Sequence, residues 1–123
     1  MGTKHEPVVA DAVQVEAAGT PPKQIREFVG RVATGHESVS VAVMRSPAGW
    51  AEPPQTPEFD EHTAVLAGTL LVHHDGGTTE VRAGQSVTVP AGVRVRYETP
   101  DGAEYVAVCL PAFGMDLVHR EGT

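Results

Sequence analysis

Short runs of β-branched and apolar residues, separated by glycine and proline, recur through most of this chain. Between positions 38 and 45 valines alternate with small residues, which predicts a strand whose buried face carries Val39, Val41 and Val43. Further strands are predicted at 61–67, 69–74, 78–82, 86–89, 93–98 and 105–110. Because short strands separated by turns dominate, the pattern predicts an all-β fold.

The turns in this pattern predict how the strands connect. Gly68 is expected to end the strand at 61–67. Asp75-Gly76-Gly77 predicts a hairpin between 69–74 and 78–82. Pro100-Asp101-Gly102 predicts a second hairpin, between 93–98 and 105–110.

The two ends of the chain show weaker patterns. Residues 1–20 read as a tail with a short edge strand near 13–16. Between 23 and 31, apolar residues at helical spacing after Thr20-Pro21-Pro22 favour one or two helical turns, and an extended arm is the alternative. In the C-terminal segment, 111–123, Phe113, Leu117 and Val118 are expected to pack across the sheet.

Composition narrows the class of protein. At 123 residues, 41% hydrophobic and 20% charged, the chain is expected to form one domain over 1–123. A net charge of −7 argues against binding to nucleic acid or to an anionic membrane surface. Cys109 is the single cysteine, so no internal disulfide can form; Cys109 is expected in the core and the protein in the cytoplasm. The scarcity of lysine and absence of asparagine are typical of a GC-rich bacterial genome.

Two spaced motifs organise the central region. They read Gly49-x5-Gln55-x-Pro57-x3-Glu61-x6-Gly68 and Gly84-x5-Pro90-x-Gly92-x2-Val95-x3-Thr99. This frame resembles the two-motif signature of the cupin superfamily, Gly-x5-His-x-His-x3/4-Glu-x6-Gly and Gly-x5-Pro-x-Gly-x2-His-x3-Asn. The resemblance implies a single antiparallel β-barrel of the jelly-roll (double-stranded β-helix) type, with its core at 38–110 and at most one or two short helices.

The resemblance also implies a metal site, but its ligands are missing. Gln55, Pro57 and Val95 stand where the family has histidines, and only Glu61 keeps a family ligand. An amide oxygen, a proline ring and a hydrocarbon do not hold a transition metal tightly. We therefore predict no metal and no other cofactor. The alternative is a metal enzyme that recruits displaced ligands such as His62 or Glu58.

Glu61 is the predicted centre of the site. Its register turns the side chain into the barrel, together with Thr63 and facing Val95 and Tyr97. Partial desolvation raises the pKa of a carboxyl toward neutrality, which suits a general acid or base. We predict Glu61 and Tyr97 as catalytic residues. The alternative is that Glu61 only orders the pocket and that Tyr97 belongs to the core.

The remaining predicted site residues surround Glu61. Gln55 is expected to orient a carbonyl or hydroxyl group, or else to tie Glu61 to the rim. Trp50 and Phe59 lie in a proline-rich rim and are expected to stack on a ligand or to pack in a dimer. The predicted ligand-binding set is Gln55, Trp50, Phe59, Thr63 and Val95.

Together these features favour a small-molecule enzyme of the isomerase, dehydratase or cyclase type, without a metal and with a biosynthetic role. The main alternative is a non-catalytic cupin that binds or senses a small ligand. Leu71 is apolar on an outward register, so one sheet is expected to be covered in a homodimer.

Overall fold

The computed structural model describes residues 6–122 and is built almost entirely from strands. The elements are β1 Val13–Val15, β2 Gln24–Val29, β3 Ser40–Ser46, β4 Trp50–Ala51, β5 Asp60–His74, β6 Gly77–Arg82, β7 Ser86–Val89, β8 Arg96–Thr99, β9 Ala103–Leu110 and α1 Met115–Val118. The predicted all-β class is confirmed, with one short helix in the part of the chain that the structure covers. In that part no helix is long and apolar enough to cross a membrane.

The strands form a curled antiparallel sheet in the order β1-β2-β3-β9-β5-β8-β4. The long strand β5 holds the two halves of this sheet together. Its first half, from Asp60, pairs with β9 and β7, and its second half, up to His74, pairs with β6 and β8. The inner faces of the two halves therefore face each other across a shared interior, as in a jelly-roll barrel.

Gly68 bends β5 and does not end it, so the prediction of separate strands at 61–67 and 69–74 is wrong. The pairing with β9 shifts register between Val65 and Ala67 and continues to Gly68. Gly68 has φ +75°, and a Cβ there would lie 2.2 Å from the carbonyl oxygen of Gly102. Only glycine allows this close approach, which redirects the strand from one half of the sheet to the other.

Of the two predicted hairpins, one is present. β5 and β6 pair from Thr69 to the turn, where His74 stands opposite Gly77. The predicted pairing of 93–98 with 105–110 is wrong, because β8 pairs with β4 and β5 whereas β9 pairs with β3 and β5. The turn at 100–102 crosses between the two halves of the sheet, so the strands on its two sides lie in different layers.

At the N-terminal side, the predicted edge strand is present as β1, which pairs with β2. The segment at 23–31 takes the extended alternative, because β2 pairs along β3. Its backbone N–H and C=O groups are thus satisfied by a neighbouring strand, and the helical spacing of its apolar residues has no effect.

The interior face of β3 is the opposite of the predicted one. Ser40 and Ala42 are buried, whereas Val41 and Val43 are only half-buried. Both faces of this strand are partly covered, so alternation alone did not indicate the inner side. The small residues on the inner face leave room for a cavity.

Two apolar clusters fill the rest of the interior. The larger one is formed by Trp50, Val65, Leu70, Val72, Val81, Val89, Val95, Tyr97 and Tyr105. The smaller one joins Phe59 and Cys109 to the C-terminal segment, through Phe113, Leu117 and Val118. The C-terminal segment therefore packs across the barrel as predicted.

Candidate functional site

A cavity lies inside the barrel, between the inner faces of β2, β3, β5 and β9. It offers about 60 Å³ to the centres of water-sized molecules. This volume counts only the points where the centre of a water can lie, so the space between the cavity walls is larger, and it admits several waters or a small organic molecule. Its polar and ionisable lining residues include Lys23, Glu27, Ser40, Glu52, Gln55, Glu61, Thr63, Tyr97, Tyr105, Cys109 and Arg120.

Glu61 stands on the cavity wall as its register predicts. On β5 it lies opposite Cys109 of β9, and the Tyr97 hydroxyl donates to its Oε1 at 3.4 Å. Burial, reinforced by the negative charge of Glu52, raises the pKa of Glu61 from 4.5 to about 7. The positive charge of Lys23 and the Tyr97 hydrogen bond act in the opposite direction but are weaker.

Lys23 brings a positive charge into the same cavity. Its Nζ lies 3.4 Å from the Tyr105 hydroxyl oxygen, 3.4 Å from Met44 Sδ and 4.0 Å from the centre of the Trp50 ring. Burial lowers the pKa of Lys23, although Glu52 and Glu61 oppose that shift. The site therefore holds an acid with a raised pKa and an amine with a lowered one.

Glu52 and Arg120 form a buried ion pair beside these groups. Arg120 Nη2 lies 3.9 Å from Glu52 Oε2, and both side chains are largely inaccessible. Burial raises the pKa of Glu52, while the positive charges of Lys23 and Arg120 lower it. The carboxyl groups of Glu52 and Glu61 thus share one small interior with the basic groups of Lys23 and Arg120, where their charges interact strongly.

Gln55 contributes an acceptor oxygen to the cavity wall. The residue is 4% exposed, and its Oε1 has no hydrogen-bond donor among the residues that the structure describes. Its backbone pairs with Val95 and Arg120, which holds the side chain in place at the cavity wall. A buried carbonyl oxygen without a donor is costly, so this atom is open to a donor from a ligand.

The structure brings four of the predicted site residues together and leaves three apart. Glu61, Tyr97, Gln55 and Thr63 all line the cavity. The other three, Trp50, Phe59 and Val95, do not line it.

These three residues belong to the apolar interior, and the structure places none of them on the cavity wall. Trp50 is fully buried, and its indole N–H donates to the Ala18 carbonyl at 3.1 Å. Phe59 packs against Phe113 in the smaller cluster, and Val95 lies in the larger one. The rim segment folds inward to close the barrel, so its aromatic rings are enclosed by the protein.

Sequence reasoning missed Lys23, Glu52, Tyr105 and Arg120. They come from four separate segments, and no local spacing links them to the motif around Glu61. Lys23 offered a weak signal. It is one of two lysines in the sequence, and it stands directly before the segment that forms β2.

The cavity does not fit the metal that the motif frame implies. Within residues 6–122, no group of three His, Cys, Asp or Glu side chains is placed to hold a metal ion. Val95 is a core residue whose hydrocarbon side chain has no lone pair to offer a metal ion. His62 is exposed and hydrogen-bonds Thr88, so it does not face the cavity as a recruited ligand would.

Glu58, the other recruited ligand considered, also lies elsewhere. Its carboxylate contacts His119 in an exposed pair, and it does not line the cavity. The polar groups that line the cavity with Glu61 therefore include an amide, a phenol, an ammonium group and a second carboxylate.

Comparison with known proteins identifies the family. A family model described as a cupin domain matches residues 42–111, more than half of the chain, and the chain belongs to this family. It is 46% identical over 102 residues to endoribonuclease YbeY of Myxococcus xanthus, covering 80% of this chain and 34% of that protein. It is 36% identical over 59 residues to acetate kinase EutQ of Salmonella typhimurium, covering 48% of this chain and 26% of that protein. The chain thus spans about a third or less of these curated relatives.

Solved structures support the same fold. The polyketide cyclase RemF from Streptomyces resistomycificus superposes with a TM-score of 0.71 at 19% identity, covering 100% of this chain and 87% of that one. The ethanolamine utilisation protein EutQ from Salmonella typhimurium superposes with a TM-score of 0.68 at 20% identity, covering 88% of this chain and 100% of that one. Oxalate decarboxylase from Bacillus subtilis superposes with a TM-score of 0.71 at 19% identity, covering 95% of this chain and 33% of that one. At these identities the likeness concerns the fold alone, and it confirms the cupin barrel.

Proposed function

We propose that this protein is a small-molecule enzyme that moves protons within its barrel cavity without a metal, with Glu61 as the acid–base. The observation that supports this most is the position of the Glu61 carboxyl. It lies on the wall of an interior cavity, beside the Tyr97 hydroxyl, with a pKa raised to about 7. A group that titrates near neutrality both accepts and returns a proton in one catalytic cycle.

The other charged groups suit the same chemistry. When a base removes a proton next to a carbonyl, negative charge develops on the carbonyl oxygen. Lys23, Arg120 and the Tyr97 hydroxyl surround the cavity and are able to stabilise that charge. In this proposal they supply the positive potential that a metal ion would supply at a histidine-rich site.

Isomerisation, dehydration and cyclisation all need such a proton transfer. A polyketide cyclase, RemF, shares this fold over nearly its whole length, so the fold is compatible with such chemistry, but it does not select the reaction. The limited space favours a small substrate or the reactive end of a larger one.

Hydrogen–deuterium exchange tests the proposal without knowledge of the natural substrate. The protein is incubated in D₂O with small ketones, aldehydes and hydroxy acids, and loss of C–H signals is followed by NMR. Glu61→Gln should slow any catalysed exchange by about 10²–10⁴-fold. Glu80→Gln removes an exposed carboxylate that pairs with Arg82 and should leave exchange unchanged. Equal rates for wild type and Glu61→Gln would refute the role of Glu61.

Metal independence is tested with the same assay. Exchange should continue at the same rate after exhaustive treatment with a chelator, because the cavity lacks a suitable donor set. A loss that added iron, manganese, nickel or zinc restores would contradict the proposal.

The second candidate is a non-catalytic binding protein, and the unsatisfied Oε1 of Gln55 favours it specifically. A ligand hydroxyl or amide would satisfy that atom without any reaction. In this case Gln55→Leu should weaken the binding of a ligand found by thermal-shift screening, and none of the probes should exchange protons.

A further inference from the structure

We propose that Lys23 is a second reactive group of the cavity, whose amine condenses with the carbonyl carbon of a small aldehyde or ketone to form an imine beside Glu61. The inference deepens the proposed function, and it rests on that function where Glu61 supplies and removes the protons. It names the substrate class as small carbonyl compounds.

The first argument is the position of the amine. Lys23 immediately precedes β2 and lines the cavity that Glu61 also lines. Its Nζ contacts a phenol, a thioether and an indole face, and it makes no ion pair within residues 6–122. Lysine is seldom buried without a carboxylate partner, because removing its charge from water is costly. This placement holds the amine at an interior space large enough for a second molecule.

The second argument is electrostatic. The charged groups that act on Lys23 are Glu52, Glu61 and Arg120, and burial outweighs the attraction of the two carboxylates. The pKa of Lys23 is consequently lowered, which increases the fraction of neutral amine at neutral pH. Only the neutral amine has the lone pair that attacks a carbonyl carbon.

The third argument is that a suitable acid–base group, Glu61, lines the same cavity and acts electrostatically on Lys23. The amine nitrogen forms a bond to the carbonyl carbon, and the carbonyl oxygen takes a proton from the Glu61 carboxyl, which gives a carbinolamine. The carboxylate then recovers a proton from nitrogen and returns it to the departing hydroxyl. The C–O bond breaks, the C=N bond forms and one water leaves, which gives a protonated imine and the Glu61 carboxylate, with no change in oxidation state. A group that titrates near 7 serves both transfers.

The polar lining suggests which carbonyl compounds fit. The free Oε1 of Gln55 accepts a hydrogen bond from a ligand hydroxyl or amide group. The space open to the centres of water-sized molecules is about 60 Å³, which favours a small ligand. Small hydroxyketones meet both requirements, so hydroxyacetone is the chosen probe, and acetone is the matched probe without the hydroxyl.

Reductive trapping tests the inference. The full chain is incubated with hydroxyacetone and sodium cyanoborohydride, which reduces an imine to a stable amine, and the labelled residue is located by peptide mass spectrometry. The chain has two lysines, Lys4 and Lys23, so Lys4 is an internal reference for ordinary amine reactivity. We expect Lys23 to be labelled at least tenfold faster than Lys4 at pH 7, and faster with hydroxyacetone than with acetone.

Variants separate this inference from the proposed function. Lys23→Met keeps the apolar stem and should abolish labelling at that position, with the fold checked by circular dichroism; Lys4→Met should leave Lys23 labelling intact. Glu61→Gln should slow Lys23 labelling at least tenfold. Labelling of Lys23 no faster than Lys4 in the wild type would overturn the inference, even if proton exchange still depended on Glu61. If Lys23 is labelled fast and equally so in wild type and in Glu61→Gln, the imine at Lys23 is supported. The same result would contradict a role for Glu61 in forming it.

Discussion

Replacing Glu61 by glutamine should change how the stability of the protein depends on pH. Glutamine keeps the size of the side chain and an oxygen for the Tyr97 hydroxyl, and it removes the ionisable group. In the folded protein the pKa of Glu61 is about 7, compared with 4.5 for an unperturbed glutamate. Between these two values the folded state binds more protons than the unfolded state, so stability falls as pH rises.

The magnitude follows from the size of the shift. A difference of about 2.5 pKa units corresponds to a loss of roughly 3 kcal/mol in the free energy of unfolding between pH well below 4.5 and pH well above 7, at about 1.4 kcal/mol per unit. Most of that change falls between pH 5 and pH 8, where linkage gives about 2–2.5 kcal/mol. The stabilisation by the protonated carboxyl is complete below pH 4.5 and is lost as pH rises through about 7. The wild type should therefore lose about 2–2.5 kcal/mol relative to Glu61→Gln over this range.

Urea denaturation at pH 5 and pH 8 measures this difference. Trp50 is the single tryptophan and is fully buried, so its fluorescence reports unfolding directly. Glu80→Gln is the control, since its exposed carboxylate should give a stability difference that does not change with pH. If the free-energy difference between wild type and Glu61→Gln stayed constant within about 0.5 kcal/mol, or changed in the opposite direction, the buried-acid interpretation would be wrong.

Three further predictions concern the bend, the hydrogen bond and the assembly. Gly68→Ala should destabilise the protein by about 2–4 kcal/mol. The control is Gly84→Ala, where a Cβ meets nothing within 4 Å, and it should cost only about 1 kcal/mol. Equal melting temperatures for the two variants would contradict the role of Gly68 in the bend. Tyr97→Phe should raise the pKa of Glu61 further in a carboxyl NMR titration, because the lost O–H donor favoured the carboxylate, and an unchanged or lower pKa would count against that bond. Light scattering should give twice the mass of one chain, because Leu71 is apolar on an outward register and predicts that one sheet is covered by a second copy. A monomer at micromolar concentration would refute the dimer.

The all-β class was predictable from local features, and the resemblance of the two spaced motifs to the cupin signature implied the barrel. The motif glycines and Pro90 mark the positions where the backbone turns, and the segments of alternating apolar and polar residues between these turns predict strands. The inward direction of Glu61 also followed from its position in the motif, because side chains on a strand alternate strictly between faces. Gly68 showed the limit of this reasoning, since a glycine at positive φ bends a strand as readily as it ends one.

The chemical content of the cavity depended on the tertiary structure. Local pattern assigns a residue to a face of its strand, but it does not specify which strands meet across the barrel. Lys23, Glu52 and Arg120 reach Glu61 from the start of β2, the proline-rich segment and the C-terminal segment, which are distant in the chain. Their charges and pKa shifts arise from shared burial in one small interior, and only the folded arrangement of these segments creates it.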